Sequence, residues 1–182
     1  RPGQVGRAGM NSGGHDQENF WRVAKVFVDQ LEKEVYVADG YGNKRVVVID
    51  ADSGEFKRYS GAYGNPPDDT DLGPYDPSAE PAQQFRNPVH CAELAVDRLL
   101  YVCDRVNDRI QVFRADGTFV AETFIEKQTL GAGSVWEIAF SGDQWQTYMY
   151  VADGVNERIH ILRRDTDRKS TRLNSRHVLI SY

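Results

Sequence analysis

An all-β fold of consecutive antiparallel blades is what this sequence predicts, and three observations predict it. The first is a repeat: Tyr36-Val37-Ala38-Asp39-Gly40-Tyr41-Gly42-Asn43-Lys44-Arg45-Val46-Val47-Val48-Ile49 returns as Tyr101-Val102-Cys103-Asp104-Arg105-Val106-Asn107-Asp108-Arg109-Ile110-Gln111-Val112-Phe113, and again as Tyr150-Val151-Ala152-Asp153-Gly154-Val155-Asn156-Glu157-Arg158-Ile159-His160-Ile161-Leu162. The second is its content: an apolar strand closing on Tyr-Val-x-Asp, a short polar turn with Asn, then Arg opening a second apolar strand. The third is its spacing, roughly 40–50 residues of strand and turn, the period of a β-propeller blade.

The 182 residues suffice for one domain, and 40% are hydrophobic, enough for a real core. No apolar run approaches the ~20 residues of a membrane span. The formal net charge is −5. The chain opens on Arg1-Pro2-Gly3 rather than Met and reads as an internal piece, so a missing secretory signal carries no weight.

Residues 1–20 are Gly-rich and polar and read as a connecting loop. The first blade spans about residues 20–60: strands at 22–28, Tyr36–Asp39, Val46–Ile49 and Phe56–Tyr59, with Asp52-Ser53-Gly54 turning the last pair. Residues 60–87 hold five of the seven prolines and no strand pattern. This insertion is expected to lie across one face, where a long loop is either functional or decorative. The second blade, 88–125, has strands at Val89–Val96, Leu99–Cys103, Arg109–Phe113 and Thr118–Phe124, with Asp116-Gly117 as its outer turn. The third, 134–164, starts at Ser134–Phe140 and ends one strand short at Leu162.

Cys91 and Cys103 flank one hairpin. A two-residue turn at Asp97-Arg98 sets Cys103 opposite Ala92 and points the sulfurs to opposite faces. A three-residue turn sets the cysteines opposite each other and permits a bridge. The two-residue turn, with two free thiols, is the expectation.

Asp167-Arg168-Lys169-Ser170-Thr171-Arg172-Leu173-Asn174-Ser175 resembles the conceptual translation of a sequencing-library adapter. Residues 167–182 are therefore expected to be an artefactual tail that packs on nothing. Setting aside its net +3 takes the remainder from −5 to −8. A real charge that negative argues against a nucleic-acid partner, which needs a basic face.

Residues 20–164 resemble NHL-repeat propellers, which carry this Tyr-Val-x-Asp…Asn-x-Arg-Ile pattern and close with about six blades. The resemblance implies a partial ring of about three four-stranded blades. Terminal blades would then expose apolar faces that neighbours should cover.

A sharper resemblance lies within it. Asp39-Gly40-Tyr41-Gly42-Asn43-Lys44-Arg45 is similar to the Asp-Gly-Tyr-Cys-Asn-Ser-Arg segment of peptidyl-α-hydroxyglycine α-amidating lyase, a zinc propeller enzyme. That resemblance implies a catalytic Tyr41. It makes His90, after Pro88-Val89, a zinc ligand, and Arg105 the active-site arginine. The extra Val89 departs from the family's Pro-His, and Trp136 holds the equivalent of His90 in the third blade. One His does not suffice for zinc, which takes three protein ligands in catalytic sites.

The repeat also separates structural from functional readings. Asp39, Asp104 and Asp153 recur and are expected to cap turns. Arg45, Arg109 and Arg158 recur and are expected to hold blades together. Arg105 and Tyr41 break the repeat, since Gly40 and Gly154 stand at the place of Arg105, and Val106 and Val155 at that of Tyr41. In an up-and-down blade the start of the inner strand shares a face with the turn after the second strand. Tyr41, His90 and Arg105 are thus expected around the channel mouth. Trp21, Trp136, Tyr63 and Tyr75 either line that face or pack inside.

Two functions follow. One is a module binding a small molecule, peptide or protein at the mouth. The other is a metal-dependent lyase with zinc as cofactor. The expected compartment is secreted or periplasmic.

Overall fold

The computed structural model describes residues 3–164; the expected tail at 167–182 lies outside the described residues. Among the described residues eleven strands form three antiparallel sheets. Blade one is β1 (Lys25–Asp29), β2 (Glu34–Asp39), β3 (Arg45–Asp50) and β4 (Phe56–Ser60), paired in that order. Blade two is β5 (Val89–Leu94), β6 (Leu99–Asp104), β7 (Arg109–Arg114) and β8 (Phe119–Phe124). Blade three is β9 (Glu137–Phe140), β10 (Tyr148–Asp153) and β11 (Arg158–Arg163). The β-branched and aromatic runs at the centre of each blade favour a pleated, buried surface.

The same face of each blade packs on the next. Tyr36, Ala38, Val46 and Val48 of blade one meet Val89, Ala92, Leu94 and Val102 of blade two. The equivalent residues of blade two, Tyr101, Cys103, Ile110 and Val112, meet Ile138, Met149, Val151 and Leu162 of blade three. Each side chain buried this way contributes on the order of 1.5–3 kcal/mol. On blade three the same positions carry Tyr150 and Ile159, which are 36% and 69% exposed.

The opposite end differs from expectation. Blade one's outer face is not bare: Val37, Val47 and Ile49 are buried in a small cluster with Phe20. The segment leading into β1 is bound there by fully buried Arg45, which donates to the carbonyls of Gly14 (2.8 Å), Asp16 (2.5 Å) and Asn19 (2.9 Å). Those carbonyls replace the backbone acceptors that a neighbouring loop supplies in blade two, where Arg109 donates to the Gln84 carbonyl at 3.1 Å.

The free-thiol expectation is overturned: Cys91 and Cys103 form a disulfide. The β5–β6 connection is one residue longer than a two-residue turn. Ala95 N–H donates to Leu99 O at 2.9 Å, and Arg98 takes a left-handed φ of 67°. That extra residue shifts the register by one and sets Cys91 directly opposite Cys103.

Candidate functional site

The repeated Asp and Arg are the frame. Asp39 Oδ1 accepts from the Trp21 backbone at 2.8 Å, while Oδ2 accepts from Asn43 (2.7 Å) and Arg45 (2.9 Å). Asp104 repeats this with the Arg86 backbone (2.9 Å), Asn107 (2.7 Å) and Arg109 (2.7 Å). Each Asp ties the chain entering a blade to that blade's central turn.

Tyr41 sits in the β2–β3 turn. The turn lies so close to the start of β5 that a Cβ on Gly40 would come 1.9 Å from the Val89 carbonyl oxygen. Only glycine permits that approach. Asn87 Nδ2 donates to the Tyr41 carbonyl at 2.8 Å and fixes the turn from the other side.

His90 owes its direction to a break in strand pairing. Val89 pairs with Asp104 and Cys91 with Cys103, so His90 is the extra residue of a β-bulge. A bulge re-aims a side chain that regular pleating would send elsewhere. His90 Nδ1 bonds to the Trp136 carbonyl, and Nε2 lies 3.0 Å from the Tyr41 hydroxyl.

Arg105 begins the β6–β7 turn. It donates from Nη1 to the Tyr41 hydroxyl at 3.3 Å. Its guanidinium carbon lies 4.9 Å from the Trp136 ring centre and 5.7 Å from that of Tyr41. Its Nε is buried and meets no acceptor among the described residues. No carboxylate pairs with it among them either.

The structure thus brings Tyr41, His90 and Arg105 into direct contact and adds Trp136 beneath them. Burial lowers the His90 pKa and the nearby Arg105 charge adds to this, against the opposing bond to the Trp136 carbonyl. A neutral ring has one N–H, and a carbonyl only accepts, so that proton sits on Nδ1. Nε2 is then an acceptor for the Tyr41 hydroxyl, whose oxygen in turn accepts from Arg105. The chain Arg105–Tyr41–His90–Trp136 can receive an anion at Arg105 and pass a proton from Tyr41 to His90.

The other aromatics divide. Trp21 covers Gly42 at the rim, where a Cβ would meet its ring at 2.3 Å. Tyr63 turns inward and donates to Glu122 Oε2 at 2.9 Å, and Tyr75 donates to the Lys127 carbonyl at 2.9 Å. Trp136 was legible as an aromatic at the place of His90 and as one of four aromatics expected to line that face or pack inside. Its role beneath Arg105 depends on how blades two and three face each other.

Zinc does not fit the residues described. Both His90 nitrogens are engaged within the protein. The one group of three potential ligands found among the described residues is Cys91, Cys103 and Glu137, which excludes His90 and contains the disulfide. Across strands β1, β5 and β9, Lys25 bridges Glu93 and Glu137, with 2.8 Å to the latter.

No protein-family model matches the sequence, and no curated protein matches it. Among solved structures the chain is similar to a periplasmic gluconolactonase of Pseudomonas aeruginosa, PpgL, with a TM-score of 0.53 at 18% identity. The match covers 80% of this chain and 36% of that one, so the chain spans little more than a third of that protein's length. The likeness agrees with the three sheets: the fold is that of a β-propeller fragment. No helix among the described residues is long and apolar enough to cross a membrane.

Proposed function

We propose that the chain is a ligand-binding part of an NHL-type propeller that holds a carboxylate at the mouth formed by Tyr41, His90, Arg105 and Trp136. One observation carries the reading: Arg105 is a half-buried cation at the surface of the mouth, bonded to the Tyr41 hydroxyl and with no carboxylate partner among the described residues. A guanidinium held between two rings and left with free donors suits a planar anion. The Tyr41 hydroxyl, supported by neutral His90, supplies a further polar contact.

The test is titration of the full chain with N-acetylglycine and, separately, its amide. The acid is expected to bind and the amide to bind at least tenfold more weakly, since hydrogen bonds to charged groups contribute about 1.5–3 kcal/mol. Equal binding of the two, or equal affinity in Arg105→Ala, removes this reading.

A lyase resembling the α-amidating enzyme is the second reading, and the Tyr41–His90 hydrogen bond favours it. A phenol facing a neutral imidazole is a proton-transfer pair. The described residues do not form a zinc site, so no step is assigned to a metal. Turnover of a peptidyl α-hydroxyglycine by the full chain, slowed by Tyr41→Phe, would establish this reading; no turnover removes it.

A secreted or periplasmic location is part of the proposal. The Cys91–Cys103 disulfide supports it, because such bonds persist in oxidising compartments.

A further inference from the structure

A second cavity lies between the 60–87 insertion and the central turns of blades one and two. It is a half-open cleft of about 310 Å³. Lys44 and Arg86 stand on its wall with Asp69 and Asp71, and Leu72 and Val106 give it an apolar side. Opposite charges in one small space normally close on each other, and these do not. Neither Lys44 nor Arg86 has a carboxylate oxygen within 4.0 Å among the described residues.

Each group is instead held by neutral partners. Lys44 Nζ donates to the Thr70 carbonyl, and Arg86 donates to Asn107 Oδ1 at 2.8 Å and to the Gly73 carbonyl. Asp69 accepts from the Gly14 N–H at 2.7 Å and Asp71 from the Gly73 N–H at 2.9 Å. These bonds fix two cations and two anions on one cavity wall without direct ion-pair contact between them.

The charge pattern selects the ligand. A dianion such as phosphate would be repelled by Asp69 and Asp71, and a metal cation by Lys44 and Arg86. A molecule carrying both charges a short distance apart satisfies both pairs. We propose that this cavity binds a zwitterionic α-amino acid. Its carboxylate lies between Lys44 and Arg86, its ammonium faces Asp69 and Asp71, and its side chain runs along Leu72 and Val106. Burial lowers the Lys44 pKa and Arg86 adds to this, against Asp69, Asp68 and Asp71; a bound carboxylate relieves that cost. The site uses none of Tyr41, His90 and Arg105 and stands independently of the mouth.

Calorimetric titration tests it, with L-leucine, N-acetyl-leucine and leucinamide as probes. The full chain is used in an Arg105→Ala background, which removes the carboxylate anchor of the mouth. Leucine is expected to bind, and each capped analogue, lacking one charge, to bind at least tenfold more weakly. Lys44→Gln and Asp71→Asn should each weaken leucine by a similar factor. Both residues lie on turns or loops outside the strands, so the variants should fold, and their thermal midpoints check this. No leucine binding up to about 10 mM, where even a millimolar site would be filled, overturns the proposal. So does equal binding of the capped analogues, or full affinity in the two folded variants.

Discussion

Arg105 and Arg109 stand four residues apart at the same end of blade two and have opposite surroundings. Arg109 is fully buried; it pairs with Asp104 at 2.7 Å and also donates to Gln84 O and the Tyr63 hydroxyl. Arg105 is half-buried, lies over aromatic rings and has no carboxylate partner among the described residues. The residue that recurs in every repeat is bound up in the frame. The residue that breaks the repeat is left with free donors. Arg158 shows the frame position uncovered by the described residues: its side chain is 62% exposed and, among those residues, pairs with Glu126 at 3.4 Å. In that blade His160 takes the bond to Asp153 at 3.0 Å.

The contrast breaks most sharply by truncation. Arg109→Ala should cost about 3–5 kcal/mol in urea unfolding, because it strands the buried Asp104 carboxylate. Arg158→Ala, an exposed pair, should cost less than about 0.5 kcal/mol. Similar losses for the two would mean that burial does not distinguish the repeats.

The Cys91–Cys103 bridge comes next in size. Cys103→Ser should cost about 2–4 kcal/mol by freeing a short loop of the unfolded chain. A midpoint unchanged between oxidised wild type and variant would show that the bond adds nothing to the packing of blades two and three.

Asp108 makes the stability of blade two depend on pH. It is buried beside Ser134, whose backbone N–H donates to Oδ1 at 2.8 Å, and Oδ2 has no partner among the described residues. Burial pushes its pKa up to about 7 against that bond. Between the ordinary carboxylate value and about 7 the folded state holds a proton that the unfolded state has lost. This group's contribution therefore falls as pH rises through that window. Urea midpoints of wild type and Asp108→Asn should converge at the acid end and separate toward neutrality, with the variant the more stable. Parallel profiles would contradict the assignment.

Much of this architecture was legible because repetition is visible in a single sequence. Three copies of Tyr-Val-x-Asp and Asn-x-Arg place every central strand. The candidate site residues stood out as departures from those copies, Tyr41 and Arg105 above all. What the repeat did not carry was local register. One residue in the β5–β6 connection decides between a disulfide and two thiols, and no strand pattern records it. The bulge at His90 is of the same kind: the extra residue between Pro88 and His90 looked like a defect in a motif, and the pairing break at His90 goes with a ring turned toward Tyr41. The cover over blade one was also invisible, since the loop holding it has no periodicity and is held through carbonyls.

On the proposed reading Arg105 serves a ligand and its neighbour Arg109 serves the fold. Arg105→Ala tests it when stability and N-acetylglycine affinity are measured on the same protein. The urea unfolding free energy should stay within about 0.5 kcal/mol of wild type, as for a side chain outside the packed frame. The affinity should fall at least tenfold. A stability loss like that expected of Arg109→Ala, or an affinity equal to wild type, would contradict it.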